Sequence, residues 1–133
     1  GALGFCWGGR YAILAAQAPF SGSPGRGVDA AFAAHPSLVA VPGDFLPVVV
    51  PLGVALGEKD SLVGEAEQGQ ILRVMAAKRK GEGEGERVEH CEVKIYPDQI
   101  HGFALRGDWA DEKSKKAMDE VTRQGLEWFR KYL

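Results

Sequence analysis

Cysteine is scarce in this chain, and long apolar runs are missing. Only two cysteines, Cys6 and Cys91, stand among 133 residues. They form no C-x-x-C pair and no metal-ligand spacing, so neither a disulfide scaffold nor a structural zinc site is indicated. The neutral expectation is a reducing, cytoplasmic setting. A membrane-spanning helix needs roughly 20 consecutive apolar residues. The longest candidate here, Leu46–Leu56, is interrupted by Pro47 and Pro51. An excess of one charge is also missing. Sixteen basic residues face eighteen acidic ones, for a net charge of −2. That balance gives no electrostatic case for a nucleic acid or an anionic membrane as partner. The densest charged runs, Lys78–Arg87 and Asp111–Lys116, read as solvated surface.

What is present is a hydrophobic content of 45%, enough for a core, arranged as alternating short apolar runs and helical stretches. Gly1–Phe5 reads as the end of a buried strand. Trp7–Ala18 follows with helix formers, and Pro19 stops it. Ser21–Gly27 is a turn cluster and Val28–Ala34 a short buried strand ending at His35-Pro36. Val41–Pro47 is a loop, and Pro51–Gly57 supplies the next strand. Glu65–Arg79 is predicted helical, with Ala66, Ile71, Leu72, Val74 and Met75 largely on one side. Lys80–Glu86 is a Gly/Glu surface linker. Val88–Pro97 alternates as a strand does, and Asp111–Leu133 closes the chain as a helix whose Met118, Val121, Trp128, Phe129 and Tyr132 share a face. Strands alternating with helices imply an α/β fold with a parallel sheet. In such sheets reactive groups gather beyond the carboxyl ends of the strands.

Three of those strand-end loops carry a residue of a possible triad. The first is Gly4-Phe5-Cys6-Trp7-Gly8-Gly9, a G-x-C-x-G pattern between a strand and a helix. Its serine form is a nucleophile elbow, a turn so sharp that residues two before and two after the nucleophile need to lack side chains. Gly4 and Gly8 are expected to supply that space. Cys6 would then sit at a helix N-terminus, which favours a thiolate, with the backbone N–H of Trp7 aimed where an oxyanion forms. The competing reading is a glycine-rich turn around a buried, inert cysteine. The second loop is Gly57-Glu58-Lys59-Asp60, where Asp60 is either an orienting acid or an ordinary turn residue. The third is Tyr96-Pro97-Asp98-Gln99-Ile100-His101-Gly102-Phe103, with His101 as candidate base. Cys6, Asp60 and His101 run in the order nucleophile, acid, base, which is the α/β-hydrolase order.

The same residues resemble the dienelactone hydrolase family, particularly its fungal members. The resemblance rests on Gly4-Phe5-Cys6-Trp7-Gly8-Gly9, on Gly57-Glu58-Lys59-Asp60, and on the run from His101 to Asp108 (HGFALRGD), and it spans nearly the whole chain. The closing Trp128-Phe129-Arg130-Lys131-Tyr132-Leu133 agrees with it. The resemblance implies an α/β-hydrolase fold with Cys6 as nucleophile, His101 as base and Asp60 as its partner. It implies hydrolysis of a small ester or lactone without metal or organic cofactor. It also implies that residues 1–133 are one partial domain, its C-terminal half. The missing half would carry the earlier strands, the second oxyanion N–H and an acidic residue near the cysteine.

Further residues are read with alternatives open. His35 either contacts substrate or is structural. Arg106 either holds a substrate carboxylate or pairs with Asp108 or Asp111. Trp7 and Phe103 form an apolar pocket wall or belong to the core. Cys91 is expected to be a buried small hydrophobe. His90 and Asp98 receive no role. A Rossmann-like or flavodoxin-like half is the alternative fold, although a cysteine inside the glycine loop fits it poorly. The alternative function is a catalytically weak piece that associates with itself, as a homodimer through the truncated sheet, or with its missing half.

Overall fold

The structure, a computed structural model, describes residues 1–17 and 27–133. Its element order is β1 (Ala2–Phe5), α1 (Trp7–Ala15), β2 (Ala31–Ala34), β3 (Leu52–Gly57), α2 (Glu65–Lys80), β4 (Cys91–Tyr96), α3 (Phe103–Arg106) and α4 (Glu112–Tyr132). The four strands form one sheet in the order β1-β2-β3-β4, and every neighbouring pair is parallel. This is the α/β arrangement with a parallel sheet that the alternation of strands and helices predicts.

Side chains alternate cleanly across the sheet, as the pleat requires. Ala31, Ala33, Leu52, Val54 and Leu56 face one layer, where Ile13 of α1 and Ile71 and Met75 of α2 pack with Phe45 and Val48. Phe32, Ala34 and Ala55 face the other, against Phe103, Ala117, Val121 and Trp128. Gly53 also looks toward that second layer. A Cβ there would lie 2.6 Å from the Phe32 ring and 3.1 Å from the Trp128 indole, so the missing side chain is what lets α4 lie close to the sheet.

The expected elements are all present, with boundaries shifted for local reasons. Of the expected strand 28–34 only Ala31–Ala34 pairs, while Val28 is half-buried and packs on the core. Pro51 stays outside β3 but its carbonyl accepts the Ala31 N–H at 2.9 Å. β4 is shorter at both ends than Val88–Pro97. α1 ends at Ala15. The Ala18 end of that expected helix, and most of the Ser21–Gly27 turn cluster, lie outside the described residues. The loop at 41–47 contributes to the core through Phe45, and its Asp44 accepts from Arg10 Nε at 2.9 Å and from the Ala40 N–H at 2.9 Å. α3 was not expected, because four residues are too short to show a helical period. α4 is capped by Asp111, whose carboxylate accepts the Ser114 N–H at 2.7 Å.

α2 corrects an expectation. Its buried face is Gln68, Ile71, Met75 and Lys78, and Leu72 is exposed. Two polar side chains thus stand where Ala66 and Leu72 were expected. Each is satisfied: Gln68 Nε2 donates to the carbonyls of Gly57 and Val63 at 2.9 and 2.8 Å, and Lys78 Nζ donates to that of Val48 at 2.8 Å. Burial holds the Lys78 ammonium below its usual pKa.

The elbow glycines also divide. A Cβ on Gly4 would lie 2.0 Å from the Gly8 carbonyl oxygen, whereas one on Gly8 meets nothing within 4 Å. The steric demand falls on Gly4 alone, because the Gly8 side-chain direction points away from the described residues. Gly4→Ala should therefore lower stability by several kcal/mol, since only backbone can yield. Gly8→Ala should be neutral or raise stability by up to about 1 kcal/mol through helix propensity. Thermal unfolding of the two variants checks this, and equal losses would contradict it.

Candidate functional site

Four strands end at a common edge, and each delivers a side chain to it. β1 ends at Phe5, paired with Ala34 at the end of β2, which is paired in turn with Ala55 of β3. Cys6 and His35 are the next residues after β1 and β2. Asp60 follows β3 by three residues, and His101 follows β4 by five.

Cys6 sits in a strained backbone conformation, φ 50° and ψ −123°, which an L-residue rarely adopts. The turn is held on both sides. The Cys6 N–H continues the parallel ladder to the Ala34 carbonyl at 3.2 Å, and the Cys6 carbonyl accepts from Gly9 and Ser37 N–H at 3.0 and 2.9 Å. Trp7 opens α1, so its N–H has no acceptor within the helix. The Trp7 ring is 59% exposed and lies edge-on to Tyr11 at 4.5 Å. It therefore belongs to no core of the described residues.

Asp60 is both a turn residue and a partner of histidine. Its Oδ1 accepts the Leu62 N–H at 2.8 Å, and its Oδ2 lies 2.9 Å from His101 Nδ1. The carboxylate is inaccessible, while 15% of the His101 side chain remains open. A carboxylate only accepts, so this contact places a proton on Nδ1 and leaves Nε2 of His101 as the free acceptor. The two loops are laced together: Lys59 N–H donates to the Gln99 carbonyl at 2.8 Å and Glu58 N–H to that of Tyr96 at 3.0 Å. Gly57 makes that approach feasible, since a Cβ there would stand 2.6 Å from the Gln99 carbonyl oxygen.

His35 is the residue whose place the sequence understated. Its side chain is fully buried, with φ 37°, and its ring packs against Phe5, His101 and Phe103 at 5.9, 5.3 and 5.6 Å between centroids. Its Nδ1 lies 3.3 Å from the Cys6 amide nitrogen and 3.4 Å from Cys6 Sγ. The donor atoms of Cys6, His35 and His101 all fall within 4.8 Å of one another. Its position at the end of a strand marks it as a cleft candidate from sequence, but the contact with Cys6 does not follow from that position alone.

Phe103 is core, stacked near Tyr96 at 4.9 Å. Arg106 is exposed and lies over Gly102, within 2.9 Å of where a Cβ would stand. Asp108 and Asp111 cap backbone N–H groups of Ala110 and Ser114 instead of pairing with it. Cys91 is buried as expected, and burial pushes its thiol up to about 11. His90 stacks on Tyr132 at 4.7 Å, away from the site. No helix among the described residues is long and apolar enough to cross a membrane.

Burial lowers the His35 pKa from 6.5 to about 4, and the nearby His101 adds to this; Asp60 raises it and Arg106 lowers it more weakly. The unfolded chain therefore binds the proton more readily than the folded one. The associated stability is present above about pH 6.5 and is lost as pH falls toward 4. At one pKa unit per 1.36 kcal/mol this amounts to about 3 kcal/mol. Urea unfolding at pH 7.5 and 4.5 should show His35→Asn losing about 2–3 kcal/mol less than the parent across that window. An equal loss in both proteins would show that His35 is not what titrates.

The model of the dienelactone hydrolase family matches residues 1–133. Hydrolase pyvD of Aspergillus violaceofuscus is 26% identical over the whole chain, which covers 47% of that relative. Hydrolase tropI of Talaromyces stipitatus is 27% identical, again over the whole chain and 46% of the relative. The chain thus spans about half the length of the curated relatives it matches. Among solved structures, a Klebsiella pneumoniae protein described as a dienelactone hydrolase superposes with a TM-score of 0.65 at 25% identity, over 98% of this chain and 51% of that one. Propionate-bound esterase 2 of Thermogutta terrifontis superposes with a TM-score of 0.61 at 18% identity, over 94% and 54%, and so supports the fold alone.

Proposed function

The chain belongs to the dienelactone hydrolase family, and from that premise we propose that it carries the reactive residues of a hydrolase acting on a small carboxylic ester or lactone. The observation behind this reading is the convergence at one sheet edge of a strained Cys6 and an Asp60–His101 pair 2.9 Å apart. In the proposed mechanism His101 Nε2 takes the thiol proton and Cys6 Sγ attacks the ester carbonyl. The Trp7 N–H holds the oxyanion. The tetrahedral intermediate collapses to a thioester as His101 returns the proton to the departing alkoxide. Water, deprotonated by His101, then hydrolyses the thioester and regenerates the thiol. Asp60 fixes the His101 tautomer and stabilises the imidazolium that forms. No metal or organic cofactor enters these steps. Arg106, exposed one turn beyond His101, is the group proposed to attract a carboxylated substrate.

In the full-length protein, Cys6→Ala should abolish aryl acetate turnover, and Asp60→Asn should reduce it by about 10²–10⁴-fold. Iodoacetamide should label Cys6 ahead of Cys91, whose thiol is buried and held neutral. Undiminished turnover in Cys6→Ala would remove the nucleophile from this scheme.

A second reading concerns the 133 residues by themselves. β1 stands at the edge of the described sheet, paired only with β2. Beside it runs an apolar groove of about 210 Å³ lined by Leu3, Phe5, Leu105, Leu126 and Phe129 among others, and Leu3, Leu105 and Leu126 are all exposed. An edge strand next to apolar surface pairs with what is available. We infer that this chain alone associates, as a homodimer or with the other half of the domain. With the Trp7 N–H as the oxyanion donor proposed among the described residues, and each such donor typically worth about 10²–10³ in rate, its own turnover should be near background. Light scattering should find a dimer or larger species; a monomer with brisk Cys6-dependent turnover would overturn this second reading.

A further inference from the structure

We propose that Cys6, His35 and His101 together form a binding site for a thiophilic divalent cation of the Zn²⁺ type, and that its occupancy takes the Cys6 sulfur out of reaction. One sulfur and two imidazole nitrogens are the borderline-soft set that zinc prefers, and neither Ca²⁺ nor Mg²⁺ would choose it over oxygen ligands. Both oxygens of the nearest carboxylate, Asp60, are already engaged, with the Leu62 N–H and with His101.

The three donor atoms lie within 4.8 Å of one another. In a tetrahedral zinc site, with Zn–S about 2.3 Å and Zn–N about 2.0–2.1 Å, sulfur and nitrogen ligands stand about 3.5 Å apart. Cys6 Sγ and His35 Nδ1 are 3.4 Å apart, so this edge of the tetrahedron exists before any ion arrives. The third donor, Nε2 of His101, is left free because Nδ1 faces Asp60. A ligating histidine whose other nitrogen donates to a carboxylate is the usual support of zinc-bound imidazole. The Asp60–His101 pair supplies that support without rearrangement.

The ligands are also held in place. His35 is fully buried, wedged among the rings of Phe5, His101 and Phe103. Its backbone N–H is tied to the Ala55 carbonyl at 2.7 Å. Its Nδ1 must be unprotonated to accept the Cys6 N–H, so a free imidazole nitrogen stands 3.4 Å from Cys6 Sγ. If an ion claims that lone pair, the Cys6 N–H keeps its bond to the Ala34 carbonyl. Cys6 and His101 are only part-buried, which leaves a way in.

Binding involves no electron transfer. The Cys6 S–H bond breaks, its proton passes to solvent, and the sulfur lone pair forms the Zn–S bond. The two imidazoles contribute lone pairs, and one water completes four-coordination. That the occupied site also silences a hydrolase rests on the reading above; the binding itself does not.

The test uses the chain as it is. Zn²⁺ competed against a chromophoric chelator should bind one ion per chain with a Kd of about 1 µM or tighter. Co²⁺ in its place should produce a near-ultraviolet sulfur-to-metal charge-transfer band. Cys6→Ser should remove that band, and His35→Ala should weaken Zn²⁺ binding by at least about tenfold. Because His35 is buried, circular dichroism must show that its variant is folded. If it is not, His101→Ala, at a part-open position, should give the same loss. Zn²⁺ should also protect Cys6 from iodoacetamide, and a chelator should restore labelling. A Kd weaker than about 100 µM, a Co²⁺ spectrum without the sulfur band, or tight binding indifferent to Cys6→Ser would overturn the proposal. Failure of ester turnover in the full-length protein with Zn²⁺ binding intact would instead strike the hydrolase reading alone.

Discussion

The whole reactive edge depends on how tightly α1 folds back over β1. The Gly8 carbonyl stands 2.0 Å from where a Gly4 side chain would begin, so the turn can close only over a bare Cα. Closing it forces Cys6 to φ 50° and brings its carbonyl to the Ser37 N–H and its amide to Ala34 and His35. One steric concession at Gly4 therefore fixes the first residues of two strand-end loops relative to each other. A cysteine placed in an ordinary strand-to-helix loop would not be held against a buried histidine in this way.

A second close approach fixes the other half of the site. Gly57 lets the loop after β3 run against the backbone at Gln99, and the peptide hydrogen bonds between those loops align Asp60 with His101. Lys59 and Asp98 add an exposed ion pair at 2.7 Å across the same seam, worth little by itself in water. The alignment is thus a backbone property, reinforced from behind by Gln68, whose amide ties α2 to the Gly57 carbonyl. The side chains that could do chemistry are positioned by parts of the chain that do none.

Much of this was legible in the sequence because it is written in short-range rules. The short apolar runs of β2 and β3, the period-2 alternation around β4, the amphipathic α4, and the strand–glycine–cysteine–helix elbow are all local. So is the order of Cys6, Asp60 and His101 along the chain. What escaped is what depends on packing between distant segments. That Gln68 and Lys78 are buried follows from carbonyls of Gly57, Val63 and Val48 lying within their reach, which a helical wheel does not contain. That Gly8 bears no steric load follows from which way its missing side chain would point. His35 could be placed at a strand end from sequence, but its contact with Cys6 comes from the register of β1 against β2.

His35 also shows that the cluster is held at a cost. To accept the Cys6 N–H on Nδ1, the neutral ring must carry its proton on Nε2. That atom is buried and lacks a hydrogen-bond partner among the described residues, and an unsatisfied buried donor costs about 1–3 kcal/mol. The backbone of His35 is itself left-handed at φ 37°, beside a Cys6 at φ 50°, and such conformations cost of order 1–3 kcal/mol each. All three features meet at one point, where the His35 ring packs among Phe5, His101 and Phe103. An apolar side chain at position 35 would relieve the orphaned donor at once. The buried His35 thus ties the sulfur and both imidazoles into one packed cluster, with Asp60 hydrogen-bonded to its outer histidine.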